Sequence, residues 1–186
     1  DYYMFMDSDD VWLPKKIENE YTEIGKLATD KPALVITNLR LVDGSLKELS
    51  PSFWESIHFR PTQFDSFRYQ AYMGYVTGCT MMFNHKAKEA AFPMADYAPM
   101  HDWWVALTTY KHGGKLAFIT EPQMLYRKHG SNATGDFVGS QAGKSIKVRL
   151  KEMLSHYKLL SECGAVSGFF DYLQLKNDIK RKQKTV

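Results

Sequence analysis

Three carboxylates, Asp7, Asp9 and Asp10, fall within four residues near the start of the chain. Like charges that close disfavour one another's ionisation unless a cation or a hydrogen-bond donor sits among them, and a hard divalent metal takes carboxylate oxygens as ligands. Three further groups have side chains suited to chemistry. His101-Asp102 precedes the pair Trp103-Trp104, Arg127-Lys128-His129-Gly130-Ser131-Asn132 forms a polar turn, and Gly74 and Gly78 flank an apolar stretch. Histidine and aspartate move protons, arginine and lysine meet anions, and a glycine in or beside a strand admits a ligand or another backbone. Each group also has an ordinary structural reading. An acidic turn caps the next helix, Asp102 suits a helix N-terminus, and His129 sits on a surface. Three of the four fall at strand ends or helix starts, where open α/β sheets gather ligands.

The elements that must position these groups follow from apolar periodicity. Tyr2-Tyr3-Met4-Phe5-Met6 reads as a buried strand that delivers the carboxylates at its C-terminal end. Asp10 suits an N-cap and Pro14 the first turn of a helix carrying Ile17, Tyr21, Ile24 and Leu27, which fades by Thr29. Ala33 to Val42 is a strand closed by the turn Asp43-Gly44, and this strand, helix, strand order predicts an α/β unit with parallel neighbours. Residues 45–73 are less regular and read either as a core-covering excursion or as a substrate loop. Val76 to Phe83 is a third strand, Asn84 caps a short helix through Ala91, and a helix starting at His101 ends at Gly113-Gly114. Leu116 to Ile119 and Met124 to Tyr126 are extended, with a break at Pro122. From Lys144, the residues Ile146, Leu150, Met153, Leu154, Tyr157 and Leu160 form one apolar helical face, and a final helix follows Gly164.

With 186 residues, 44% of them apolar and 14% aromatic, the chain has material for one substantial core. A formal charge of +3 does not call for a nucleic-acid partner. Much of the excess lies in Lys176, Lys180, Arg181, Lys182 and Lys184, read as a solvated helix end or, as a second reading, a peripheral contact with an anionic membrane. Cys79 and Cys163 lack metal-ligand spacing and read as thiols in a reducing compartment. No run reaches the roughly 18 apolar residues that span a bilayer, so the expected location is cytoplasmic, at most against the inner face of the membrane.

Phe5-Met6-Asp7-Ser8-Asp9-Asp10-Val11-Trp12-Leu13-Pro14-Lys15-Lys16 resembles the Asp-x-Asp motif and following helix of glycosyltransferase family 2, closest to bacterial rhamnosyltransferase-like members. Gly78-Cys79-Thr80-Met81-Met82-Phe83-Asn84, His101-Asp102-Trp103-Trp104 and Leu125 to Asn132 match the same pattern in the same order. The resemblance covers residues 1–135 and leaves 136–186 as a C-terminal helical extension with a basic tail. It implies an α/β fold of the GT-A type, a nucleotide-diphosphate sugar donor, Mg²⁺ or Mn²⁺, and a glycan or lipid-linked acceptor in bacterial polysaccharide synthesis. Asp9 is the implied direct metal ligand, Asp7 a contact to ribose or metal-bound water, and His129 a further metal or phosphate contact. Arg127 and Lys128 would neutralise the diphosphate. Inverting transfer needs a general base and no enzyme nucleophile. The family's acidic pair stands here as His101-Asp102, which makes Asp102 the base and leaves His101, Trp103, Trp104 and Gly78 on the acceptor side.

Family members carry a first strand and nucleotide-base contacts ahead of the Asp-x-Asp motif. The chain therefore reads as the C-terminal portion of a GT-A domain, incomplete at its N-terminus, and is expected to bind donor weakly and turn over little alone. A sheet cut in this way is expected to self-associate through its edge. Two alternatives remain: a non-catalytic fragment or binding module, and another metal-dependent phosphate-ester enzyme such as a nucleotidyltransferase.

Overall fold

The computed structural model describes residues 1–27, 30–129 and 145–184. In chain order its elements are β1 (Tyr2–Met4), β2 (Val11–Trp12), α1 (Lys16–Ile24), β3 (Ala33–Val42), β4 (Glu48–Ser50), α2 (Phe53–Ser56) and α3 (Phe67–Met73). They continue as β5 (Met81–Asn84), α4 (His85–Ala91), α5 (His101–Lys111), β6 (Lys115–Arg127), α6 (Ile146–Glu162) and α7 (Phe169–Gln183), with 3₁₀ turns at Pro61–Phe64 and Gly78–Thr80. The fold is mixed α/β.

β3 is the centre of the sheet. Ala33 to Leu39 are buried without interruption, as a strand covered on both faces requires. The strand order is β1-β5-β3-β6-β2, with β4 also pairing with β3. β3 and β6 run parallel, whereas β5 is antiparallel to both β3 and β1. β1 and β3 thus point the same way, but β5 lies between them, so they are not the parallel neighbours the sequence predicted. The C-terminal ends of β1, β3 and β6 and the N-terminal end of β5 consequently share one edge of the sheet.

Asn38 is the hydrogen-bonding hub of this centre, while the buried Thr37 hydroxyl beside it has no partner among the described residues. Asn38 donates to Ser52 Oγ (2.8 Å) and the Thr120 carbonyl (3.0 Å) and accepts from the N–H groups of Leu39 and Trp54. These bonds tie the 45–73 region to β3. That region covers the core through Phe53, Trp54, Phe59 and Phe64, all at most 7% exposed, which resolves it as a core-covering excursion. Asn84 caps α4 as expected by accepting from Ala87 N–H (2.9 Å). Gly114 is required at the turn into β6, because a Cβ there would sit 2.2 Å from the Pro32 carbonyl oxygen.

Several boundaries differ from the sequence reading. α1 starts at Lys16 without a side-chain cap, so Pro14 precedes it and Asp10 is not its N-cap. Of the predicted third strand Val76 to Phe83 only Met81 onward is extended, because Gly78–Thr80 curls into a 3₁₀ turn. β6 continues through Pro122, and the irregularity appears as register shifts against β3 at Thr37 to Arg40. α6 is helical, but of its predicted apolar face only Leu160 is fully buried; Ile146, Leu150 and Leu154 are exposed. Even so, Leu160, Cys163, Tyr172, Leu175 and Ile179 belong to the same core as the sheet, so α6 and α7 pack on it. The predicted boundary at 135/136, Thr29, Lys144 and the Gly130 to Asn132 part of the polar turn lie outside the described residues.

Candidate functional site

The shared edge of the sheet gathers the four motifs. The chain leaves β1, turns through Asp7 to Asp10 and returns as β2, which pairs with β6 at Val11↔Leu125 and Trp12↔Met124. That pairing sets the acidic turn beside the end of β6. Arg127 fixes it there. Its backbone N–H donates to Asp10 Oδ1 (3.0 Å), its Nε to the Asp9 carbonyl (2.8 Å) and its Nη1 to the Gly44 carbonyl (2.6 Å). The guanidinium predicted to meet a diphosphate therefore clamps two loops by their backbones. Lys128 pairs its backbone N–H with the Val42 carbonyl (2.8 Å) and carries its side chain on the exposed side of the same edge.

The three aspartates occupy different environments. Asp9 Oδ2 accepts a hydrogen bond from His129 Nε2 (2.5 Å), and this bond is the main reason its carboxyl sits below the usual range. Asp10 is buried, which pushes its carboxyl up; the Arg127 N–H works against that shift. Asp10 Oδ2 has no partner at hydrogen-bond geometry among the described residues, and the Cys79 thiol lies beside it. Asp7 is exposed. Among the described residues, Asp7, Asp10 and Cys79 bring three ligand atoms within 4.8 Å of one another. The predicted set of Asp7, Asp9 and His129 is thus divided, with Asp9 and His129 paired and Asp7 grouped with Asp10.

Burial, followed by the charges of Asp10 and Asp7, pushes the Cys79 thiol far up, so it is an S–H group and not a thiolate. A protonated sulfur is a poor partner for Mg²⁺ or Mn²⁺, which favour oxygen. The acidic oxygens fit a hard cation; the cysteine does not. Its position next to Asp10 had no signal in the spacing, because residues 10 and 79 meet only through the order of β1, β5 and β3.

On the other side of the edge stands α5. Asp102 Oδ2 accepts from Gly78 N–H (3.0 Å) and Oδ1 from Trp103 N–H (2.7 Å), so two backbone donors orient the carboxylate. His101 is exposed at the helix start, and its ring meets Phe5 edge-on at 4.6 Å. Phe5 was read as part of a strand; it is in fact the spacer between the acidic turn and the start of α5. Gly78 leaves room for both residues, since a Cβ there would lie 2.9 Å from His101 Nε2 and 3.6 Å from Asp102 Oδ2. Trp103 and Trp104 point the other way. They are 5% and 9% exposed, and their indole N–H groups donate to the carbonyls of Ala71 (3.1 Å) and Ala91 (2.6 Å). Both hold α5 in the core and neither offers an open face to a sugar.

Comparison with protein-family models finds no matching family, and comparison with curated proteins finds no match.

Proposed function

We propose that this chain carries the diphosphate and acceptor side of a GT-A type inverting glycosyltransferase, acting on a nucleotide-diphosphate sugar and a glycan or lipid-linked hydroxyl. The observation that supports this reading most is the meeting at one sheet edge of the Asp9–His129 pair and the Asp102 carboxylate, with Gly78 and Phe5 between them. Acid–base groups and a cation-accepting turn at one edge of the sheet match the two ends of a sugar transfer.

In that reading the acceptor O–H gives its proton to Asp102, the acceptor oxygen bonds to the anomeric carbon from the face opposite the donor bond, and the diphosphate leaves with the electron pair. Asp102 suits the first role because, among the described residues, its oxygens are held by backbone N–H groups and not by a cation, so proton transfer breaks no ion pair. Asp9 and Asp7 would hold Mg²⁺ or Mn²⁺ with His129 beside them; a bound cation offsets the charge that grows on the diphosphate. Arg127 contributes by fixing the Asp9 to Asp10 backbone.

The test is release of nucleoside diphosphate from dTDP-rhamnose, UDP-glucose and UDP-galactose with Mn²⁺, alongside calorimetry of UDP and dTDP binding. Asp102→Asn is expected to lose roughly 10²- to 10⁴-fold in turnover while retaining nucleotide binding, the usual scale for a general base. Asp9→Ala is expected to lose Mn²⁺-dependent nucleotide binding. Nucleotide binding that is equal with and without Mn²⁺, or unchanged in Asp9→Ala, would remove the basis for this function.

A further inference from the structure

α6 carries an outward-facing apolar stripe for which the proposed transfer has no use. Ile146 is 85% exposed, Leu150 50% and Leu154 49%, at spacing i, i+4, i+8, which aligns them along one side of the helix. Phe169 of α7 meets Tyr157 edge-on at 5.3 Å, one turn beyond Leu154, and extends the stripe onto the neighbouring helix. Helical spacing places Lys147, Lys151 and Lys158 along the flank of this stripe, all exposed. Lys158 pairs with Glu162 (3.7 Å); Glu152 projects from the opposite flank, where it lines a groove with His156 and Tyr72. Residues 145–184 hold nine Lys and Arg against four Asp and Glu, so this part of the chain is +5 in a protein of net +3.

Leucine-sized apolar groups beside a row of lysines on one helix suit an interface that is greasy at one depth and anionic at another. We infer that the α6 stripe docks on the surface of an anionic lipid bilayer, with Ile146, Leu150 and Leu154 entering the acyl boundary and the lysines meeting lipid phosphates. The lysine row decides for a lipid surface over a second copy of this chain, because two copies joined through the stripe would bring like charges together. Among the described residues no helix is long and apolar enough to cross a membrane, so the contact is in-plane. The contact is assigned to α6 and not to the basic end of α7, where Lys182 is already held over the Tyr69 ring at 5.2 Å and donates to the Gln63 carbonyl. This inference stands apart from the glycosyltransferase reading.

The experiment is vesicle co-sedimentation of the full 186-residue chain. Phosphatidylcholine vesicles with about 30% phosphatidylglycerol are expected to bind it and pure phosphatidylcholine to bind it poorly, with binding falling as salt rises to about 0.5 M. Each lysine at such a surface contributes a roughly fivefold factor, so Lys147→Gln/Lys151→Gln should weaken binding by about 25-fold. Leu150→Ser/Leu154→Ser should weaken it at low salt as well. All four positions are exposed, so circular dichroism should report a native fold. Lys180→Gln/Lys184→Gln, at the end of α7, should change binding little. Equal binding to neutral and anionic vesicles, or equal loss in the α6 and α7 variants, would overturn the inference. So would a concentration-dependent dimer in sedimentation velocity that Leu150→Ser/Leu154→Ser dissolves.

Discussion

Helices α5 and α6 are used in opposite ways. α5 buries seven consecutive residues, Trp103 to Thr109, whereas α6, with seventeen residues, buries only Leu160. A helix buried on all sides has its direction and rotation fixed by packing, so the groups at its first turn are held in place. That is what Asp102 needs if it is to face the acidic turn. α6 is anchored along one side only, by Leu160 with Met153, Tyr157 and Leu159 partly buried beside it, which leaves its other side for something else. The same contrast appears in two Lys–Glu pairs with identical i, i+4 spacing. Lys16–Glu20 on α1 is fully buried, while Lys158–Glu162 on α6 has side chains 78% and 40% exposed.

Trp104→Ala would test the contrast hardest. It removes a large core side chain and leaves the Ala91 carbonyl without its indole donor, so unfolding by urea should show a loss of about 5 kcal/mol. Leu154→Ala on α6 should change stability by less than about 0.5 kcal/mol. Comparable losses at the two sites would mean that α6 is as much a core helix as α5.

The ion pairs give the next effect. Lys16→Met strands Glu20, whose one ion-pair partner among the described residues is Lys16, and should cost about 3 to 4 kcal/mol, whereas Lys158→Met should cost well under about 1 kcal/mol. Lys16→Met/Glu20→Leu should recover most of the loss, because it removes the buried charge together with its partner.

A smaller effect lies in the pH dependence of the same buried pair. Burial pushes the Glu20 carboxyl from 4.5 up to about 7, with Lys16 opposing the shift. Between those values the folded chain keeps a proton that the unfolded chain has released, so this group makes stability fall as pH rises from about 4.5 to about 7. Asp9, held below its usual value first by the His129 hydrogen bond, acts in the other direction: its contribution is present above about pH 4 and lost as acid protonates it. Urea midpoints across pH 4.5 to 7 should lose their falling component in Glu20→Gln. Parallel profiles for the two proteins would show that Glu20 does not titrate there.

What could be read from the sequence follows the same division. Asp102 at a helix start, Asn84 as a cap and the polar cluster at the end of β6 were visible because local spacing sets them. α6 was legible as a helix, but its exposed stripe was not, since an apolar i, i+4 row looks the same whether a core or something outside covers it. The division of the aspartates was also hidden. It depends on β2 pairing with β6, which brings Arg127 N–H to Asp10, and on β5 inserting beside β1, which brings Cys79 next to the same carboxylate. A two-residue strand such as β2 has too little sequence to announce itself.

Gly78→Ala should have the smallest effect on stability and still say much about the site. Its backbone does not require a glycine conformation, and the atom its Cβ would crowd, His101 Nε2 at 2.9 Å, ends a flexible exposed side chain that can move aside. The distances to Asp102, 3.5 Å to Cβ and 3.6 Å to Oδ2, are ordinary contacts. Stability should therefore change by less than about 0.5 kcal/mol. The bond from residue 78 N–H to Asp102 Oδ2 should survive, while His101 is displaced from its edge-on contact with Phe5. If His101 binds the acceptor, the variant should raise KM for the acceptor and leave kcat close to that of the unaltered chain, because Asp102 stays oriented. If instead kcat falls with KM unchanged, the added methyl has reached Asp102, and the rigid first turn that sets α5 apart from α6 is less rigid than its burial implies.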